Sequence, residues 1–359
     1  MKIALLGAGH IGTTIGRLLN DTDDFVVTVA DRDTGTLNAL ASLGIATDVV
    51  DFSDSRALFQ FVAQADAVVN ALPYDMAIHV AGVAKEAGVH YFDLTEDVQA
   101  THAIHDLARG ARTAFMPQCG LAPGFIGIAA HSLAKNFDEV HDVKMRVGAL
   151  PQFPTNSLKY NLTWSVDGLI NEYCHPCEAI RDGELRSVEP LEGLEHFSLD
   201  GVEYEAFNTS GGLGTLCETL KGRVRTLDYK SVRYPGHRSL MKFLLQELQL
   251  STRIDQLKDI LRASVPTTMQ DVVLVFVTVS GIRGGKLVQD TFMRKIFAAD
   301  GEAGRVSAIQ ITTAAGVCAA LDIFREKGLP QSGFISQEQV SLDDFLANRF
   351  GAVYDVESR

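Results

Sequence analysis

At 359 residues and 38.9 kDa the chain has room for two domains, and with 46% apolar and 21% charged residues it is neither a disordered segment nor a disulfide-stapled miniprotein. Acidic residues outnumber basic ones by 45 to 32, and a net charge of -13 without a basic stripe argues against a nucleic-acid partner. Apolar runs such as Val272–Val279 fall short of the ~20 residues that cross a bilayer, and five unevenly spaced cysteines suit a reducing compartment, so a cytoplasmic protein without a membrane partner is expected.

Lys2–Leu6 reads as a short buried strand, and Gly7-Ala8-Gly9-His10-Ile11-Gly12 opens a helical pattern carried by Ile15, Leu18 and Leu19. A second apolar run, Phe25–Ala30, ends at Asp31. Further pairs follow: Ile45–Val50 with a helix over about 53–64, Ala67–Leu72 with one over about 75–87, and His90–Leu94 with one over about 98–109, before Thr113–Met116. This alternation predicts an α/β fold, a doubly wound parallel sheet of the Rossmann type, because each crossover must be covered by its helix.

After about Cys119 the pattern changes. Val143–Leu150, Leu158–Val166, Asp271–Ser280 and Lys286–Phe297 are longer and alternate in polarity, which predicts a second, α+β domain with an antiparallel sheet. Leu240, Leu244, Leu245, Leu248, Ile254, Leu257 and Leu261 belong to helices that cover one face of it. Ala308–Ala320 reads as a helix rich in small residues, and Phe334–Val340 as a short strand or turn.

The glycine loop follows a strand and opens a helix, the context in which Gly-x-G-x-x-Gly binds a dinucleotide. Gly7 permits the tight turn, Gly9 lets a pyrophosphate approach the backbone, and Gly12 lets helix and strand pack closely, while His10 and Ile11 supply helix N-terminal N–H groups. Asp31, 19 residues beyond Gly12, is placed to accept from a ribose hydroxyl. Its charge repels a 2′-phosphate and favours NAD, while Arg32 beside it is the kind of residue that admits NADP. Asp51-Phe52 and Ala71-Leu72-Pro73 close the third and fourth strands, where adenine and the nicotinamide ribose rest in such sheets. Thr95 and Glu96 either face the nicotinamide or cap the next helix.

Cys174-His175-Pro176-Cys177 is one pair without a second at metal spacing, so no metal is expected. Cys119 has no partnered histidine in the sequence, and Gly120, Pro123 and Gly124 beside it read as a hinge. In Arg233-Tyr234-Pro235-Gly236-His237 a tight turn is expected to bring a guanidinium, a phenol and an imidazole together, and the arginine fork suits a carboxylate. The plain alternative is a turn with solvated side chains. Asn208-Thr209-Ser210-Gly211-Gly212 either offers hydroxyls and backbone donors to a carboxylate or is a flexible connection.

These segments, with Trp164-Ser165 leading into Leu169-Ile170-Asn171-Glu172-Tyr173 and with Glu205-Ala206-Phe207, resemble the saccharopine dehydrogenase family from Met1 to about Gly333. The resemblance is strongest to the branch that oxidises the ε-amine of L-lysine. It implies a Rossmann domain of residues 1–120 and 305–359, with residues 121–304 as an insertion for substrate binding and oligomerisation. The implied activity is NAD-dependent oxidation at the C–N bond of a small amino-acid substrate, with NADP as the alternative cofactor. Oxidative deamination of L-lysine to the semialdehyde comes first; saccharopine or a carboxynorspermidine-type reductive condensation is the alternative. On this expectation Arg233, Thr209 and Ser210 hold the α-carboxylate, Thr95, Trp164 and Tyr234 line the substrate, and Glu96 or His237 takes the amine proton. Leu94-Thr95-Glu96-Asp97 departs from the Ser-Tyr-Val segment of saccharopine reductases, and Asn208–Gly212 carries an extra glycine. A reading from another class, an NAD-sensing regulator, would not need these polar groups. The family also implies a homodimer or higher homo-oligomer.

Overall fold

Ile3–Leu6 has apolar side chains buried on both faces, as a central parallel strand requires. The computed structural model describes residues 1–301 and 304–355, and the chain divides into two units, Met1–Phe125 with Gln310–Val353, and Ile126–Ile309 with the chain from Tyr354. The first unit starts as β1 (Lys2–Leu6), α1 (His10–Asn20), β2 (Val26–Asp31), α2 (Thr34–Ala41), β3 (Ala46–Val49), α3 (Ser55–Val62), β4 (Ala67–Asn70), α4 (Ala77–Ala87), β5 (His90–Asp93), α5 (Val98–Ala108) and β6 (Ala114–Met116). Three of its helices begin at an aspartate whose carboxylate accepts backbone N–H groups of the first turn: Asp33 from Gly35, Asp54 from Arg56 and Ala57, and Asp97 from Ala100. Leu6, Val62, Val68, Val80, Tyr91 and Phe115 form the core under these helices.

The second unit contains α6 (Phe125–Ala134, whose first residue ends the first unit), β7 (Glu139–Pro151), α7 (Val166–Cys174), β8 (Cys177–Arg181), β9 (Glu184–Val188), β10 (Glu195–Leu199), β11 (Val202–Asn208), α8 (Leu216–Leu220), β12 (Thr226–Arg233), α9 (His237–Lys242), α10 (Ile254–Ser264), β13 (Asp271–Arg283) and β14 (Lys286–Phe297). Its sheet runs β10-β11-β12-β7-β13-β14, with β8 joined to β12. The expected antiparallel sheet is in fact mixed, because β7 and β12 pair in parallel, Asp142 with Thr226 through Val147 with Ser231. Of Leu158–Val166, expected as a strand, residues 158–165 are irregular apart from one bridge between Leu162 and Thr267, and Val166 opens α7. Asn156 closes a turn there by donating from its amide to the Tyr160 carbonyl at 2.6 Å, and Lys159 takes φ +51°. The apolar alternation of this segment comes from packing: Tyr160, Leu158 and Leu162 lie against Leu169, Tyr173 and Phe207.

A two-stranded ribbon, β15 (Ala299–Gly301) and β16 (Gly304–Val306), precedes α11 (Ala308–Arg325), followed by β17 (Gly333–Phe334) and α12 (Leu342–Ala347). β17 adds in parallel to β6, so seven parallel strands run β17-β6-β5-β4-β1-β2-β3. α11 is long and apolar enough to cross a membrane by length and composition, yet 78% of it is buried, which fits a core helix. Its Gly316 lies so close to the Cys119 and Gly120 carbonyls that a Cβ would sit 2.6 Å from the first.

Candidate active site

In the first unit the loop after β1 is built for a close ligand. Gly7 has φ +96°, and a Cβ on Gly12 would stand 1.9 Å from the Gly7 carbonyl oxygen, so neither position tolerates a side chain. Around Gly9 a Cβ would meet nothing within 4 Å. Gly9 also has no side chain to cap α1, which leaves the first-turn N–H groups to an anion. These features fit a dinucleotide pyrophosphate. Asp31, at the end of β2, accepts the Ala8 N–H at 2.7 Å and the Asp33 N–H at 2.9 Å, so its carboxylate braces the loop and keeps lone pairs for a ribose hydroxyl. Arg32 beside it is exposed.

At the ends of the next strands the expected positions divide. Ala71 and Leu72 lie against Gly7, and Pro73 is exposed. Asp51 accepts from the Ser53 N–H and hydroxyl in a turn before α3. Phe52 is buried and packs in the core with Leu58 and Val62. The Thr95 hydroxyl accepts the Asp97 N–H at 3.3 Å, which assigns it to the turn leading into α5, and Glu96 beside it is half-buried. Sequence reasoning missed Asp93. It is 1% exposed, and its carboxylate accepts from the Tyr91 hydroxyl at 2.7 Å, the Gln118 N–H at 2.8 Å and the Thr95 N–H at 3.0 Å. Burial raises its carboxyl to about 6 against the pull of these donors. Cys119 is buried and its thiol is pushed up, so it is no thiolate.

The second unit holds a buried polar cluster centred on Arg233, the last residue of β12 and 3% exposed. Arg233 Nε donates to the Tyr173 hydroxyl at 3.0 Å and Nη1 to the Val232 carbonyl at 2.8 Å; Nη2 makes no hydrogen bond among the described residues. The guanidinium lies 5.3 Å from the Tyr160 ring centre and 5.9 Å from that of Tyr173. Burial opposes its charge, but Tyr173, Tyr160 and Glu172 outweigh this and keep it protonated. The Tyr160 hydroxyl has Thr163 and Trp164 beside it, while Asn161 Oδ1 and Asn171 Oδ1 are enclosed and make no hydrogen bond among the described residues.

His237 and Tyr234 do not take the places expected of them. His237 is fully buried; its Nδ1 lies 3.0 Å from the Leu158 carbonyl and its Nε2 3.1 Å from the Tyr173 hydroxyl. The carbonyl can only accept, so Nδ1 carries the proton and Nε2 accepts from Tyr173. Burial and then Arg233 hold this imidazole down to about 3. With both nitrogens engaged and no solvent access, His237 fits a structural role and not the base. Glu205 fixes the turn before it, accepting the Gly236 N–H at 2.9 Å and the Arg238 N–H at 2.6 Å. Tyr234 points elsewhere: its hydroxyl donates to the Pro151 carbonyl at 2.8 Å and its ring stacks on Tyr204. Successive side chains on an extended strand take opposite faces, so Arg233 and Tyr234 cannot converge. The phenol beside the guanidinium is Tyr173 of α7.

Thr209 Oγ1 is paired with Ser231 Oγ at 2.8 Å, and Ser210 N–H donates to the Glu172 carbonyl at 3.1 Å, so this loop is tied into the unit and is not a flexible connection. A Cβ on Gly212 would stand 2.3 Å from the Tyr229 ring, so the extra glycine admits an aromatic face and not a carboxylate. Trp164 is half-buried against the same cluster as Tyr160. No group of three or more His, Cys, Asp or Glu suited to a metal occurs among the described residues. Cys177 is buried, with its thiol raised to about 12.

The family model of the saccharopine dehydrogenase C-terminal domain matches residues 120–350, and that of the saccharopine dehydrogenase NADP-binding domain matches residues 3–116. The chain belongs to the saccharopine dehydrogenase family. A stretch of 200 residues is 28% identical to saccharopine dehydrogenase [NADP(+), L-glutamate-forming] of Saccharomyces cerevisiae, covering 52% of this chain and 44% of the yeast enzyme. Another of 150 residues is 27% identical to α-aminoadipic semialdehyde synthase of Arabidopsis thaliana, covering 39% of this chain and 14% of the plant protein. The matched part thus spans less than half of either curated relative. The apo structure of the yeast L-glutamate-forming saccharopine dehydrogenase superposes with TM-score 0.78 at 18% identity, covering 96% of this chain and 95% of that one, a likeness of fold. The family therefore makes the glycine loop part of an NAD(P)-binding domain.

Proposed function

We propose that this member of the saccharopine dehydrogenase family is an NAD(P)-dependent oxidoreductase that acts on a C–N bond of an amino acid, and that its reaction is oxidation of the ε-amine of L-lysine. The observation that carries the reading is Arg233, a buried and permanently charged guanidinium with Nη2 unspent, which calls for an anion such as an α-carboxylate. When bound at Gly7–Gly12 and Asp31, the dinucleotide supplies the hydride acceptor. The chain's own residues then have two tasks. Arg233, oriented by Tyr173, holds the carboxylate end; Glu96 takes the proton from the amine, since an ammonium nitrogen has no lone pair to support loss of hydride from the adjacent carbon. The imine formed is hydrolysed by water to ammonia and the semialdehyde.

A second reading, oxidation of the secondary amine saccharopine, is supported by the name of the yeast relative. Asp31 supports NAD over NADP, because its carboxylate would face a 2′-phosphate, whereas the description of the matching N-terminal domain supports NADP. The open edge strand β14, with Leu287 and Phe297 exposed, is where we place the contact of a homo-oligomer. Reduced-nicotinamide absorbance, followed with NAD and with NADP against L-lysine, D-lysine, ornithine, saccharopine and carboxynorspermidine, tests the reading. Ammonia released with L-lysine alone is the expected result. Turnover with saccharopine alone replaces it with the second reading, and cofactor binding without any turnover turns the chain into a sensor.

A further inference from the structure

The carboxyl ends of β4, β5 and β6 are joined by one buried chain of hydrogen bonds. It starts at the glycine loop, where the Ala71 carbonyl and the Leu72 side chain pack on Gly7. Asn70 Oδ1 accepts the Leu72 N–H at 3.1 Å, and Asn70 Nδ2 donates to the Tyr91 hydroxyl at 3.3 Å. That hydroxyl lies 2.7 Å from Asp93 Oδ2 and 3.2 Å from the Ala77 carbonyl. Asp93 Oδ1 accepts the Thr95 N–H at 3.0 Å and the Gln118 N–H at 2.8 Å, while the Asp93 carbonyl accepts the Cys119 N–H at 2.8 Å. Asn70, Tyr91 and Asp93 are 2%, 0% and 1% exposed. Gln118 has φ +66°, a conformation that a residue with a side chain keeps only where its surroundings hold it, and Asp93 grips it and the next residue.

The Tyr91 hydroxyl has one proton and two acceptors. While Asp93 is a carboxylate the proton points to Oδ2, the shorter and charged contact. Once Oδ2 carries a proton it donates to the Tyr91 oxygen, and the Tyr91 proton turns to the Ala77 carbonyl. Both states leave every member of the chain paired, so the buried carboxyl can gain or lose a proton without stranding a neighbour. What changes is strength: the bonds from Thr95 and Gln118 are charge-assisted only while the carboxyl is ionised. Burial raises the carboxyl to about 6, which brings the change close to neutral pH. The ionisable groups facing it are the Tyr91 phenol and the Cys119 thiol, both pushed up by burial and neutral throughout this range. From β4 and α4 the chain meets only uncharged groups, Asn70 and the Ala77 carbonyl; Glu96 and Asp97 follow Asp93 into α5, where Asp97 accepts from Ala100. In a doubly wound sheet a dinucleotide lies along the carboxyl ends of the strands, so these loops are the ones it meets. We propose that Asp93 is a positioning residue for the dinucleotide and acts as a proton-sensitive clamp: ionised, it fixes the loops after β5 and β6; protonated, it loosens them, and the dinucleotide binds more weakly in acid. The inference concerns the cofactor alone and is independent of which amine is oxidised.

Two measurements on the full chain between about pH 7.5 and 5 test this: amide hydrogen exchange, and calorimetric titration with NAD and with NADP. After correction for the intrinsic pH dependence of exchange, peptides spanning residues 94–97 and 117–120 of the parent are expected to lose protection severalfold as pH falls through about 6. Over the same range the dissociation constant of the dinucleotide should rise roughly fivefold or more. Asp93→Asn imitates the protonated state, since its amide nitrogen donates to Tyr91 and its oxygen accepts from Thr95 and Gln118. It should show the weak affinity and low protection of the acid parent already at pH 7.5, and both should be flat with pH. Tyr91→Phe removes a donor that favours the carboxylate, so the midpoint of the change should move to higher pH, a shift that a merely structural tyrosine would not cause. His10 of the glycine loop is present in every variant and cancels in the comparison. A parent whose protection or affinity stays constant overturns the inference without recourse to any variant. So does Asp93→Asn that responds to pH as the parent does, or Tyr91→Phe that leaves the midpoint in place. Failure to turn over L-lysine removes the lysine reading and leaves these readouts untouched.

Discussion

Gly7–Gly12 and the Arg233 cluster are both suited to an anion, yet they are assembled in opposite ways. The loop is six consecutive residues whose geometry is set by two missing side chains and by the helix that follows. The cluster draws Tyr160, Tyr173, Arg233 and His237 from an irregular segment, the helix α7, the end of β12 and the start of α9. A local device needs only the right residues in a row. A dispersed one depends on every element that brings its parts together, and it spends buried hydrogen bonds to do so.

That contrast can be broken at the loop most severely. Gly12→Ala places a methyl group where the Gly7 carbonyl stands, and fluorescence titration should show dinucleotide affinity reduced by roughly a hundredfold or more, with amino-acid binding in calorimetry retained. Next in size is Arg233→Ala. It should raise KM for the amino acid by about a hundredfold while kcat falls far less, because the lost contact serves ground state and transition state alike. An unchanged KM would remove Arg233 from the substrate site.

The pH dependence of stability sharpens the comparison. An unfolded histidine takes up a proton below about 6.5, but folded His237 remains neutral down to about 3. As pH falls through 6.5 the unfolded chain gains a proton the folded one refuses, so stability declines. Asp93 acts in the reverse sense: raised to about 6, its carboxyl is protonated in the fold before it is in the unfolded chain, which offsets part of the loss between about pH 6 and 4. His237→Gln should therefore lose less Tm between pH 6.5 and 4 than the parent in thermal melts. The smallest effect is expected at Tyr234→Phe, about 1 kcal/mol of stability from the bond to the Pro151 carbonyl, with KM unaltered. A raised KM in that variant would return Tyr234 to the substrate.

Local chemistry made the nucleotide unit readable. Buried apolar runs, aspartates at helix starts and the glycine spacing act within a few residues, so Lys2–Leu6, α5 and the loop lie within a residue or two of where the pattern places them. The second unit resisted where side chains were chosen for partners far along the chain. Leu158–Val166 alternates like a strand only because it packs on α7 and β11 residues, and Arg233-Tyr234 reads as a single cluster until strand alternation separates the two.

The sequence by itself thus determined the parallel sheet, the dinucleotide loop with Asp31, and Arg233 as the guanidinium to watch, since each follows from residue type, spacing or period. Only the tertiary structure decided that Tyr173 is the phenol at that guanidinium, that His237 is a buried acceptor with both nitrogens occupied, and that Asp93 gathers three donors. The Tyr173 and His237 contacts join residues 60 to 79 positions apart, and the Gln118 N–H reaches Asp93 across 25, separations whose geometry no local pattern encodes.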